Sequence, residues 1–335
     1  MKIVFFGTSD YCLPVIESLN SNFELKLVIT RPDKPEGRKQ LLTPSATKLW
    51  AIKKGIQVAT PETLKKDTPD RLKLKLKLET LNPDLAVISD YGLIIPEAIF
   101  QTPRLGTINV HFSRLPDLRG PSPVQFSLLR GDKDAWVTIF KLENPPDLAI
   151  KMDSGPIIDQ RSFSKIDYDT TETLYKRLFK ETSKYLPLII TGYSTKTPSL
   201  IAQDHTKANF CRFLTKDDGF IEWPVLQKAM NDQRLTMNEL PKIQEEALAT
   251  IDVIARNATT KQSVTYQGKQ IASHSLAMTN SLYNFYRAVT PWPGMWTIHP
   301  NGKRMKVLQC HLEENKLVLD QIQFEGKRPS TIIPL

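Results

Sequence analysis

The sequence predicts an α/β protein, with an N-terminal domain built on a parallel sheet and then a smaller C-terminal β-barrel. Three observations carry that prediction. A chain of 335 residues is long for one ordinary core and short for three, so two domains are expected. Short apolar runs alternate with helical spacings as far as residue 190, the pattern of strands and crossover helices around a parallel sheet. From residue 209 the runs are short and of period two, as in a small barrel.

Taken in order, Lys2 to Phe6 is an apolar run closed by Gly7-Thr8-Ser9-Asp10, and Tyr11 to Leu19 then has helical spacing. Strand, turn and helix in that order open a Rossmann-like unit. Leu25 to Thr30 supplies a second strand, Ser45 to Lys54 a helix, Gln57 to Ala59 a third strand and Leu85 to Ser89 a fourth. Between the last two, Arg71 to Glu79 reads RLKLKLKLE, whose alternation matches an amphipathic strand. A helix is expected there instead, because lysine, leucine and glutamate are good helix formers and parallel neighbours need a crossover.

Thr107 to His111 makes a fifth strand, Ser122 to Leu129 a helix, Val137 to Leu142 and Pro156 to Ser162 further strands, and Thr171 to Ile190 a long helix. Residues 191–208 are polar and turn-rich, and are expected to be the linker between domains at 1–190 and 209–335. Beyond it, Ser263 to Tyr266, Met295 to His299, Met305 to His311 and Lys316 to Gln321 read as strands of an OB-like barrel. The amphipathic stretch Leu240 to Ala255 reads as a helix packed on that barrel.

An apolar fraction of 40% and a charged fraction of 24% fit a globular protein, and no stretch approaches the roughly 20 apolar residues of a membrane span. The N-terminal run lacks a signal peptide's apolar core and cleavage site, so a cytoplasmic location, away from membranes, is expected. Cys12, Cys211 and Cys310 lie far apart with no CxxC spacing, which points to buried free thiols. A net charge of +9 favours a polyanionic partner. From Ile251 to Leu335 there are 10 Lys/Arg against 5 Asp/Glu, making the C-terminal part the better candidate surface, with a merely solvated face as the alternative.

Chemistry concentrates in GTINVHFSRLPDLRGPSPVQ, residues 106–125. On a strand Asn109 and His111 share one face, and in parallel sheets ligands collect at the carboxyl ends of strands, where this pair sits. Pro116, Gly120, Pro121 and Pro123 restrict the loop that follows. A strand-end Asn and His satisfied by loop backbone is the plain alternative. The segment resembles the folate-dependent formyltransferases, whose signature is Asn-x-His on a strand followed by a Ser-Leu-Leu-Pro-x-x-Arg-Gly loop. Here the loop is Ser113-Arg114-Leu115-Pro116-Asp117-Leu118-Arg119-Gly120, with Arg114 in place of the usual leucine.

The resemblance implies a third catalytic residue in an Asp-x-Gly turn, matched by Asp153 in Met152-Asp153-Ser154-Gly155, while Asp147 matches the spacing alone. It implies 10-formyltetrahydrofolate as co-substrate, held by Ser113, Arg114, Leu115 and Pro116 and by Tyr91, Gly92 and Leu93, with no metal required. Asp90 stands where the family has a small residue. The basic loop Thr30 to Ser45 is similar to the loop that, in family members formylating initiator methionyl-tRNA, reaches over the site. Arg31, Lys34, Arg38 and Lys39 would then meet tRNA phosphates, Arg38 foremost, and a mobile surface loop is the alternative. Phe213 to Trp223 and Tyr286 to Thr297, with its Pro-Trp-Pro-Gly, resemble the second domain of those same members, which implies a tRNA-binding C-terminal domain interrupted by an insertion near residues 224–275. Sugar-nucleotide formylation, or RNA binding without catalysis, are the rival functions, and a monomer is expected.

Overall fold

A computed structural model describes residues 1–37, 40–144, 152–195, 199–233, 235–257 and 278–332. In chain order the first half forms β1 (Lys2–Phe6), α1 (Leu13–Asn22), β2 (Glu24–Ile29), β3 (Lys34–Glu36), β4 (Leu41–Thr43), α2 (Ala46–Lys53), β5 (Gln57–Ala59), α3 (Pro69–Leu81), β6 (Leu85–Ile88), α4 (Glu97–Phe100) and β7 (Thr107–His111). There follow α5 (Pro123–Arg130), β8 (Asp134–Lys141), β9 (Ile157–Ser164), α6 (Thr171–Thr195), α7 (Trp223–Met230), α8 (Lys242–Asn257), α9 (Met278–Val289) and the strands β10 (Met295–Ile298), β11 (Arg304–Glu313), β12 (Lys316–Phe324) and β13 (Ser330–Thr331). Contacts divide the chain into two compact units. One comprises 1–115, 136–162 and 175–203, the other 116–135, 163–174 and 204–335.

The first unit is organised by a seven-stranded sheet in the order β5-β2-β1-β6-β7-β8-β9. Its pairings are parallel from β5 through β7, as the alternation of strands and helices predicts. The exception is β8, which runs antiparallel to β7. The core joins Val4 and Phe6 of β1, Leu27 and Ile29 of β2, and Ala86 and Ile88 of β6 to Leu74 and Leu78 of α3.

The alternating RLKLKLKLE segment is helical. At 3.6 residues per turn its leucines divide between two faces, so Leu74 and Leu78 are buried while Leu72 and Leu76 are 60% and 66% exposed. Pro69 starts this helix and Asn82, at φ 44°, ends it in the left-handed region. The segment expected to be a linker is taken up in two ways. Helix α6 runs on to Thr195, and Ile201 pairs antiparallel with Ile157 through amide-to-carbonyl bonds of 2.8 and 2.9 Å.

The second unit carries a four-stranded antiparallel sheet in the order β10-β11-β12-β13. The expected OB-like barrel is not found: among the described residues this sheet is open, with β10 and the two-residue β13 as its edges. Four strands ending in so short a pairing are too few to curl back into closure. The expected strand Ser263 to Tyr266 lies outside the described residues. The amphipathic helix is present as α8, but it meets α5 rather than a barrel, with the Gln244 side chain donating to the Leu129 carbonyl at 3.3 Å.

Within the same unit Asn209 clamps the loop after Pro116. Its Oδ1 accepts from the Leu118 amide at 2.8 Å, its Nδ2 donates to Asp117 at 2.7 Å, and its carbonyl accepts from the Arg119 amide at 2.9 Å. Asp117 in turn holds the Arg130 guanidinium at 2.8 and 2.9 Å. Gly120, at φ 114°, lies so close to the next strand segment that a Cβ would stand 2.2 Å from the Cys211 carbonyl oxygen. All three cysteines are buried free thiols, and burial pushes the Cys12 thiol up to about 12. No described helix is long and apolar enough to cross a membrane.

Gly120→Ala is expected to lower stability by about 1–3 kcal/mol or more, from left-handed strain and the clash together. A urea unfolding midpoint equal to the native one would show that this backbone approach is not tight.

Candidate active site

Strand β7 lies between β6 and β8, with Asn109 opposite Ile88 on one side and Phe140 on the other, and His111 opposite Thr138. His111 is 6% exposed, its ring edge-on to Phe140 at 6.4 Å. Its Nδ1 stands 3.8 Å from Asp153 Oδ2, within ion-pairing range and long for a direct hydrogen bond. Asn109 is half-buried, and its side-chain amide makes no hydrogen bond among the described residues. The three residues named from the sequence as catalytic therefore all belong to the first unit, two on one strand and one paired with the histidine. Asp147, the rival by spacing, lies outside the described residues.

Asp153 reaches this position because its turn is forced. It sits at φ 49°, a region that aspartate tolerates better than most side chains. Two residues on, a Cβ at Gly155 would stand 1.9 Å from the Lys141 carbonyl oxygen of β8, so only glycine lets the turn press this close. The Lys141 amide then donates to Pro156 at 3.0 Å.

The loop after His111 is gripped by Thr138. Its Oγ1 donates to the Ser113 carbonyl at 2.6 Å and accepts from the Leu115 amide at 3.3 Å and from Gln160 Nε2 at 2.9 Å. Gln160 also donates to the Leu115 carbonyl at 3.0 Å. Ser113 is buried, the Leu115 side chain packs with Phe140 and Ile157, and half-buried Pro116 begins the second unit's segment. Arg114 alone of these is exposed, its guanidinium 4.6 Å above the Trp136 ring. That flat partner accounts for an arginine where leucine is usual.

Of the second expected folate segment, Tyr91 points inward. Its ring meets Phe6 edge-on at 5.3 Å, burial pushes its phenol up, and its hydroxyl is buried without a hydrogen-bond partner among the described residues. The Leu93 amide is turned onto the Tyr91 carbonyl at 2.6 Å. Gly92 is exposed with nothing within 4 Å of where a Cβ would stand, and Ile94 is 84% exposed, so an open apolar ledge remains. Asp90 occupies φ 58° and its carbonyl accepts from the Thr8 amide at 3.0 Å, a conformation in which aspartate is tolerated beside glycine and asparagine.

The basic loop folds in part as a hairpin, Lys34 pairing with Thr43 and Glu36 with Leu41. Arg31 is half-buried ahead of it and Lys34 exposed on it, while Arg38 and Lys39 lie outside the described residues. Arg119 of the signature loop is 1% exposed and donates from Nη2 to His205 Nδ1 at 2.8 Å, which fixes a lone pair on that ring nitrogen. Sequence reading missed Thr138, Gln160 and Gln203 because their partners lie across strands. Ser89 Oγ and Thr8 Oγ1, buried at the carboxyl ends of β6 and β1 without a partner among the described residues, carried no pattern either.

A family model described as formyl transferase matches residues 1–190, and one described as formyl transferase, C-terminal domain, matches 277–333. The methionyl-tRNA formyltransferase of Listeria innocua is 36% identical over 222 residues, covering 66% of this chain and 68% of the relative. The solved methionyl-tRNA formyltransferase from Clostridium thermocellum matches with a TM-score of 0.53 at 14% identity, over 97% of this chain and 98% of that one. A sugar N-formyltransferase from Shewanella matches with a TM-score of 0.52 at 13% identity, over 94% and 99%. The two solved structures share the fold and differ in what their names say they formylate, so fold alone does not choose an acceptor.

Thr138→Val is expected to cost about 1–3 kcal/mol, since it strands the buried Ser113 carbonyl and Leu115 amide. Chemical unfolding measures this, and an unchanged midpoint would mean that Thr138 does not hold the loop.

Proposed function

Since this chain belongs to the formyl transferase family, we propose that it moves a formyl group from 10-formyltetrahydrofolate to the amino group of initiator methionyl-tRNA, in support of translation initiation. The observation that carries formyl transfer is the Asn109 amide, without a partner among the described residues, on the same strand as His111, whose ring stands 3.8 Å from Asp153. The observation that favours the acceptor is the 36% identity to an enzyme of that name.

The residues present fit a folate. The ledge at Gly92 and Ile94 accepts a flat ring, and Arg114 offers a cation to a carboxylated tail. When bound, that group supplies the formyl carbon on a nitrogen leaving group. Asn109 and His111 then donate hydrogen bonds to the formyl oxygen as negative charge gathers there, a preorganised contribution of about 3–4 kcal/mol per donor. Asp153 orients His111 and helps take the proton from the attacking amine, directly or through one water across the gap.

The acceptor is held by charge. Arg31, Lys34, Arg38 and Lys39 meet phosphates of its acceptor stem, and the basic C-terminal domain within 209–335 also binds the tRNA. Stretches α7 and α8 lie in the insertion near 224–275. The working form is a cytoplasmic monomer.

Incubation with formyl donor and charged initiator tRNA should yield formylmethionine. Turnover on an amino sugar nucleotide with none on tRNA would replace the acceptor. Asn109→Ala or His111→Ala is expected to lower kcat roughly a hundredfold while tRNA binding persists. Arg38→Ala should raise KM for tRNA and leave that for folate unchanged, and an equal rise in both would make the loop's role structural.

A further inference from the structure

The turn bearing Asp153 is held from outside its own loop. Ile201 and Ile157 exchange amide-to-carbonyl bonds of 2.8 and 2.9 Å in an antiparallel bridge. Two residues further along one strand and two back along the other, that register brings Gln203 opposite Gly155. Gln203 is 6% exposed, and its side-chain nitrogen donates to the Asp153 carbonyl at 2.8 Å and to the Gly155 carbonyl at 2.7 Å. Both hydrogens of one amide are thus spent on two acceptors of a single turn. On its other side the turn presses on β8, where a Cβ at Gly155 would stand 1.9 Å from Lys141 O. Asp153 itself, at φ 49°, is in a conformation that persists only where its surroundings over-determine it.

We propose that Gln203 is a positioning residue for Asp153, setting where the carboxylate stands relative to His111. The inference rests on the reading of Asp153 as the partner of His111 in formyl transfer. Gln203 acts through the turn's backbone, at the Asp153 and Gly155 carbonyls. Removing its two donors frees both carbonyls and lets the turn relax out of the left-handed region, and a displacement of about 1 Å at a catalytic group is enough to slow chemistry substantially.

The test is a double-mutant cycle. Gln203→Met keeps the size of the side chain and removes both donors; Gln203→Leu, which likewise donates nothing, serves where the first variant does not fold. Turnover of methionyl-tRNA is expected to fall about tenfold or more in kcat, with KM for tRNA within about twofold of native. In an Asp153→Ala background the same substitution should cause no further loss, because a residue acting only through Asp153 has nothing left to position. Unchanged kcat in Gln203→Met, or losses that multiply across the two sites, would overturn the proposal. Native kcat in Asp153→Ala would instead remove the reading of Asp153, and the proposal with it. Hydrogen exchange of the amides of residues 152–155 reports separately from activity: faster exchange in Gln203→Met supports the clamp, and native-like exchange refutes it even where no formylmethionine is formed.

Discussion

A strand with a parallel neighbour on one side and an antiparallel neighbour on the other has to satisfy two hydrogen-bonding registers at once, and β7 is that strand. The parallel side fixes Asn109 beside the end of β6. The antiparallel side brings β8 back so that Thr138 lies opposite His111, where its hydroxyl can grip the loop that His111 opens. Continuing along β8, the Lys141 carbonyl becomes the surface against which Gly155 is pressed. The histidine, its loop and its carboxylate partner are thus all placed by one change of strand direction.

Polar groups around this point fall into two sets. Ser113 O and Leu115 N are satisfied by Thr138, the Leu115 carbonyl by Gln160, and the Asp153 and Gly155 carbonyls by Gln203. The Asn109 amide is left without a partner among the described residues. Satisfied groups hold geometry, while an open donor on a rigid strand is free to answer charge that develops only during reaction. Asp90 and Asp153 belong to the holding set through their backbones, since both occupy left-handed conformations in which a short carboxylate side chain is among the few tolerated.

The fold was legible where the pattern was local. Alternating strands and helices placed β1, β2, β5, β6 and β7 but not the β3–β4 hairpin, which was read as a loop, and the crossover requirement correctly overrode the period-two pattern of Arg71 to Glu79. The antiparallel run of β8 was not legible, because a helix at Ser122 to Leu129 between two strands suits a parallel crossover as well, and nothing in it states which way the chain returns. The barrel was over-read: period-two runs specify strands but not closure, and the described sheet stays open. At the site, Asn109, His111 and Asp153 came from one strand and a resemblance, and the structure sets the latter two 3.8 Å apart. Leu115 and Tyr91, expected at the ligand, turn their side chains into the core, since burial of apolar surface decides orientation where a motif only counts residues. Gln203 sat in a polar stretch that looked like a linker, and its role depends on a register with Gly155 that no local pattern encodes.

Each of the two units is assembled from three separate stretches of chain, and the passages between them fall inside β8, β9 and α6 as well as in loops. That arrangement bears on inheritance. A C-terminal module joined at a single peptide can be acquired, lost or exchanged by one recombination event, leaving an intact neighbour. Here, cutting after Gln203 would leave α5 behind without α8 and α9, and with them the cover for Val124, Phe126, Leu128 and Leu129, all buried in the whole chain. A single cut therefore cannot separate the two units without exposing an apolar helix face.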